Sequence, residues 1–216
     1  IQLHSKNLNP WQIFNSLKKT YKFGSKDFTI IGYTPDLSTA RSVQKIIGKQ
    51  NNILLDPVMG DIGIGLYVNK DVANFFKKMI LKVSYVSANF FEWSYLNGKN
   101  VNSYSLEEVL FDLKKFSTDH NIQLFIRSIP FEGKLLNTLC KKNQVWGIST
   151  PYINFKNRFH GAGDLSTALY ADNLLRKNSL KKTLENVTKD IFIHLSKYKN
   201  KRRKKIVFRA KNLSNL

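Results

Sequence analysis

Cysteine is nearly absent: Cys140 stands alone in 216 residues, so no internal disulfide forms and a reducing compartment is expected. Acids are scarce too, 15 against 35 Lys and Arg, leaving a formal net charge of +20. No apolar run approaches the length of a membrane span, and the opening IQLHSKNLNP lacks the pattern of a secretory signal. Zinc-ligand spacings of Cys and His, a helix-turn-helix signature and an aromatic RNA-binding motif are all missing. These absences predict a soluble, cytoplasmic chain without a membrane partner, and argue against specific nucleic-acid binding. The positive charge does not reverse that, because Lys is spread along the whole chain and only KYKNKRRKK, residues 197–205, is dense.

What is present is enough for a core. Hydrophobic residues make up 42% and aromatics 12%, and the length suits a single domain over residues 1–216. Apolar strand-like runs at 27–33, 51–57, 83–88, 122–128 and 144–149 alternate with helical patterns. Residues 70–81 place Val72, Phe75, Phe76, Met79 and Ile80 on one helical face. A helix over 105–117 opens with a capping box, Ser105 with Glu108 three residues on. A later helix carries Leu180, Leu184, Val187, Ile191 and Leu195 on a stripe. Continuous apolar strands between amphipathic helices predict an α/β fold: a central, mostly parallel sheet flanked by helices on both faces.

Ligands of such folds sit beyond the carboxyl ends of strands. The polar residues there are Tyr33 and Asp36, Asp56 and Asp61, Asn89 and Glu92, and Arg127 and Ser128. Each has an ordinary explanation. Asn89 and Glu92 suit the cap and third position of a helix, and Asp61 sits in a Gly-rich turn. The stretch RFHGAGDLSTALYADNLL, 158–175, sets Asp164 behind Gly161, Ala162 and Gly163 at a helix start. That is either a plain first-turn acid or an anion cradle with a proton acceptor beside it.

Taken together, the segments resemble the ribokinase-like vitamin kinases, and within them the pyridoxal kinases. IGYTPDLS (31–38), LDPVMGDIGIGLYV (55–68), SANFFEWSYLNG (87–98), GAGDLSTALYADNLL (161–175) and FRAKNL (208–213) are similar to that family's motifs and occur in its order. The resemblance implies an ATP-dependent kinase acting on the 5′-hydroxymethyl group of B6 vitamers, with Mg²⁺, and working as a homodimer. It implies Asp164 as general base, with Gly161, Ala162 and Gly163 holding the transferred phosphate. Asn89, Glu92, Arg127, Ser128 and Phe159 fall where ATP and its phosphates bind, Tyr33 where the vitamin lies, and Asp56, Asp61 and Glu92 near metal.

Some positions depart from the pattern. Ala162, Ser87 and Ala88 are mild changes. Arg127 stands where a Thr that helps to ligate a monovalent cation is expected, beside Asp56 and Ser87. The long side chain either reaches to solvent or puts its own charge in the ion's place. The family's first strand has no counterpart ahead of residue 28, so the chain reads as short at its start. A hydroxymethylpyrimidine kinase of the same fold, or a catalytically weak vitamin- or nucleotide-binding relative, remain the alternatives.

Overall fold

Alternation of side chains along short apolar strands divides the interior of this protein into two cores, one on each face of a sheet. The computed structural model describes residues 10–22, 27–47, 52–155, 161–198 and 208–216. In chain order the elements are α1 (Pro10–Thr20), β1 (Thr29–Ile31), α2 (Leu37–Ile47), β2 (Ile53–Leu55), β3 (Gly60–Asp61), β4 (Gly65–Leu66) and α3 (Lys70–Met79). There follow β5 (Tyr85–Asn89), α4 (Phe90–Leu96), α5 (Leu106–His120), β6 (Gln123–Phe131), β7 (Lys134–Lys141), β8 (Gln144–Pro151), α6 (Ala162–Leu175), α7 (Leu180–Tyr198) and β9 (Lys211–Asn212). The large sheet has the order β1-β2-β5-β6-β7-β8-β9, and β3 pairs with β4 as a separate hairpin.

The first four strands of the sheet run parallel, as the apolar runs predict. Three antiparallel pairings then extend it through β7, β8 and β9. Of these, β9 is not predicted by the sequence pattern, and neither is β7. Its polar Asn137 and Thr138, flanked by Lys134 and Lys141, mask a strand whose burial comes from neighbours on both sides. The helix α1 and the β3–β4 hairpin were also missed.

Ile53, Leu55, Val86, Leu124 and Ile126 pack under α2, α3, α4 and α5. Leu54, Phe125, Leu139 and Ile148 face the other way, against Tyr170 and Ala171 of α6 and Leu184 and Val187 of α7. The capping box predicted at Ser105 and Glu108 is present in both directions. Of the predicted helix over 70–81, Lys70–Met79 form α3, whose buried face is Val72, Phe75, Phe76 and Met79, and Ile80–Lys82 follow as a short 3-10 turn. Among the described residues no helix is long and apolar enough to cross a membrane. Residues 199–205 of the basic segment lie outside the described residues.

Two local consequences can be measured. Burial pushes the Cys140 thiol up to about 12, so it stays protonated and shielded across the physiological range. Native protein is expected to resist iodoacetamide at mildly alkaline pH and to react once unfolded in urea; prompt native alkylation would contradict this. Gly60 is the tight point of the hairpin: a Cβ there would lie 2.7 Å from the Gly65 carbonyl oxygen and 2.1 Å from the Phe91 ring. Gly60→Ala is expected to cost about 1–3 kcal/mol in urea unfolding, the usual penalty of overpacking.

Candidate active site

The amino end of α6 opens on Gly161, whose φ of 86° lies in the left-handed region that glycine enters without a Cβ penalty. The helix begins at Ala162, two residues ahead of Asp164, because that glycine turns the chain. No side chain caps it. Helix geometry leaves the N–H groups of Ala162, Gly163 and Asp164 without intrahelical acceptors, and the helix dipole favours an anion there. Asp164 occupies the third helical position and its side chain is exposed.

One turn further, Thr167 straps α6 to the sheet. Its hydroxyl donates to Asp56 Oδ2 at 2.5 Å and shares a 2.8 Å hydrogen bond with the Ser87 hydroxyl. Asp56 follows β2 and is 3% exposed. Its other oxygen, Oδ1, accepts from Arg127 Nη2 at 3.3 Å. Burial pushes the Asp56 carboxyl above its usual range, and the Arg127 charge and the Thr167 hydrogen bond pull it back.

Arg127 points toward α6 because alternation along β6 puts it with Phe125, on the face opposite Leu124 and Ile126, and the strand bulges directly after it. Ile126 faces Thr138 and Ile129 faces Leu136, so Arg127 and Ser128 together oppose Asn137 alone. Ser128 takes up a φ of 60°, and its N–H donates to Asn137 Oδ1 at 3.0 Å, replacing the ladder bond that the bulge removes. The arginine is 8% exposed and its Nε is buried without a partner. Of the two readings of this residue, the solvent-reaching one is thereby excluded.

On the opposite wall, Asn89 caps α4. Its Oδ1 accepts from Glu92 N at 2.8 Å, and its Nδ2 donates to the Gly60 carbonyl at 2.9 Å. In return Glu92 Oε2 accepts from Asn89 N–H at 2.8 Å, while Oε1 accepts the Met59 N–H at 3.2 Å. The ordinary capping reading of this pair therefore holds, and the cap also ties the hairpin to α4. Burial pushes the Glu92 carboxyl up to about 8, with the Asp56 charge adding to the effect and Arg127 opposing it. Asp61 sits exposed at the hairpin, where Oδ1 accepts from Ile62 N–H at 2.9 Å.

These residues line one cavity of about 620 Å³. Asp56, Asp61, Asn89, Glu92, Arg127, Ser128 and Gly161 through Asp164 all border it. Tyr33 follows the carboxyl end of β1 but is 61% exposed and does not border the cavity. Phe159 lies outside the described residues. The sequence reading missed half the wall: Leu135, Asn137, Thr150 and Ile153, and a face of α7 that includes Thr188. The α7 stripe was visible as a core face, and Val187, Ile191 and Leu195 of it border the cavity instead.

The expected acidic set does not converge as a metal cluster. Among the described residues no three His, Cys, Asp or Glu side chains meet in a way that would hold an ion. Mg²⁺ still fits Asp61 and Glu92, because it takes one or two carboxylates and fills the rest of its shell with water and substrate phosphates. A monovalent cation beside Asp56 does not fit. The Arg127 guanidinium already stands 3.3 Å from Asp56 Oδ1 and would repel a second cation there, while Thr167 donates to Oδ2.

A four-stranded parallel sheet with an antiparallel extension, helices on both faces and a helix amino end at the strand termini defines an α/β protein of the ribokinase-like fold. The chain belongs to the phosphomethylpyrimidine kinase family, whose model matches residues 18–200. It is 26% identical to a pyridoxal kinase of Rubrobacter xylanophilus over 186 residues, covering 81% of this chain and 63% of that protein. A pyridoxal kinase of Pseudomonas paraeruginosa is 25% identical over 175 residues, covering 76% and 60%. The chain thus spans about three fifths of the length of these relatives. Among solved structures, the Plasmodium falciparum PdxK with AMP-PNP and PL superposes with a TM-score of 0.81 at 18% identity, covering 96% of this chain and 82% of that one. The pyridoxal kinase of Entamoeba histolytica gives 0.77 at 20%, covering 94% and 78%. At such identities the two structures establish the fold.

Proposed function

We propose that the chain carries an ATP-dependent kinase that phosphorylates the 5′-hydroxymethyl group of pyridoxal, pyridoxine or pyridoxamine. The observation that carries this reading is the single cavity in which the uncapped amino end of α6 faces the Asn89–Glu92 wall, with Asp164 at its rim. Phosphoryl transfer asks for positioning and charge neutralisation more than for covalent chemistry. The N–H groups of Ala162, Gly163 and Asp164 are aimed to hold the transferred phosphate, with Gly161 turning the chain to expose them. Asp164 then accepts the proton of the attacking hydroxyl.

Asn89 and Glu92 orient the phosphates, and Glu92 and Asp61 hold Mg²⁺ through its water and phosphate shell. The ion, when bound, neutralises charge that develops on the phosphate oxygens. The apolar side of the cavity, Phe125, Leu135, Ile153, Val187 and Ile191, suits a nucleobase, and Ser128, which also borders it, is assigned to the phosphates. Phe159 is assigned to the nucleotide and Tyr33 to the vitamin. The reading extends to a cytoplasmic homodimer, which light scattering after size exclusion checks.

The family description, phosphomethylpyrimidine kinase, supports a second reading, a hydroxymethylpyrimidine kinase of the same fold. Release of ADP, assayed in parallel with the three B6 vitamers and hydroxymethylpyrimidine, separates the two. Turnover is expected with the vitamers. Turnover with the pyrimidine alone would replace the first reading, and nucleotide binding without any turnover would leave a binding protein.

A further inference from the structure

Three ionisable side chains are buried at the floor of the cavity, the acids Asp56 and Glu92 at 3% and 2% exposure and the cation Arg127 at 8%. A nucleotide would add several more negative charges beside them. Arg127 meets this demand from an unusual position. Its guanidinium is gripped from below by Asp56 Oδ1 and lies under the turn that starts α6: a Cβ on Gly163 would come within 3.1 Å of Nη1. The absence of that Cβ lets the plane approach the backbone whose N–H groups are offered to an anion. Nε remains buried without a partner on a side chain that lines the cavity.

A guanidinium keeps its charge at any working pH and presents its donors as a rigid fork that matches phosphate. We propose that Arg127 is a built-in cation of this site: it stands where an exchangeable monovalent ion would be held by Asp56, and gives its unused donors to the phosphate chain of a nucleotide seated at the amino end of α6. The disagreement between the site and a monovalent ion is what carries this, since the Arg127 guanidinium already stands 3.3 Å from Asp56 Oδ1 and a second cation there would be repelled by it. The proposal rests on reading the cavity as a nucleotide site.

The test measures binding of a non-hydrolysable ATP analogue with Mg²⁺ by calorimetry, in a tetramethylammonium buffer with and without potassium chloride. Wild type, Arg127→Thr and Arg127→Lys are compared, with thermal melts to confirm folding. The wild type is expected to bind equally with and without potassium. Arg127→Thr is expected to bind about tenfold or more weakly without potassium, the usual loss for a charge-assisted hydrogen bond, and to recover part of that when potassium is added. Arg127→Lys should fall between, because it keeps the charge and loses the fork.

If Arg127→Thr fails to fold, the double variant Asp56→Asn with Arg127→Met removes both members of the pair and should show the same loss of affinity. Wild-type binding that rises tenfold with potassium overturns the proposal, as does unaltered binding by Arg127→Thr or by the double variant. Analogue binding by a wild type that phosphorylates no vitamer sinks the vitamer reading alone. Absence of binding in both buffers sinks the nucleotide site and the proposal together.

Discussion

Asp164→Asn is expected to lower kcat by about 10²–10⁴-fold, the range attributed to a positioned general base, while the affinity for ATP changes no more than a few-fold. The separation follows from where the residue sits. Its side chain is exposed at the rim of the cavity, whereas the phosphate cradle is made of backbone N–H groups that the amide leaves in place. Asn has nearly the same shape and also suits a first helical turn. The change removes one negative charge near the helix amino end, worth about 0.3–1 kcal/mol at an exposed position, so the fold should survive with a small shift in its urea midpoint. Steady-state kinetics with calorimetric ATP binding would check both halves. A variant that kept more than about a tenth of wild-type turnover would reduce Asp164 to a helix-start residue.

Asp56→Ala is expected to cost stability on a larger scale, about 3–5 kcal/mol, because it strands the Arg127 charge in the interior. The geometry makes the loss twofold. Arg127 Nη2 loses the carboxylate at 3.3 Å, and the Thr167 hydroxyl loses the acceptor that fastens α6 to β2. Removing the cation as well should recover most of it: Asp56→Leu combined with Arg127→Met replaces a buried pair by apolar groups, which is often neutral or better for stability. Urea unfolding of wild type, single and double variants reads the difference. A single-variant loss under about 1 kcal/mol would mean that the guanidinium is solvated and the pair behaves as a surface one.

Sequence pattern revealed those parts of the fold whose burial shows in composition. Ile53–Leu55 and Leu124–Ile126 are apolar throughout because helices cover both faces, and α3 and α5 carry clean stripes or caps. The strand β7 hid because its burial is sheltered by β6 and β8 and needs no continuous apolar run. The site split the same way. Residues just after parallel strands, Asp56, Asn89 and Glu92, were found by position, and Gly161 to Asp164 by their small side chains before a helix. The far wall from β7, β8 and α7 was invisible, since those residues read as core until the chain leaves a gap between them. For Arg127 the sequence left two directions open, and its place beside Phe125 in the alternation of β6, with Asp56 at 3.3 Å, decides between them.

That bulge turns strand length into a determinant of the site. Ile126 and Ile129 are three apart, an odd step that in a regular strand would send them to opposite faces, yet both belong to the core under α2–α5. The extra residue resets the parity. Deleting Ser128 would therefore not trim an ornament. It would restore a regular ladder with Ile129 still on the α2–α5 face, two residues from Ile126, and it would remove the left-handed residue whose N–H is bonded to Asn137 and which borders the cavity. A residue added outside the bulge would instead turn Ile129 to the α6–α7 side, so the count of residues between Phe125 and Ile129 is as much a part of the pocket as any side chain lining it.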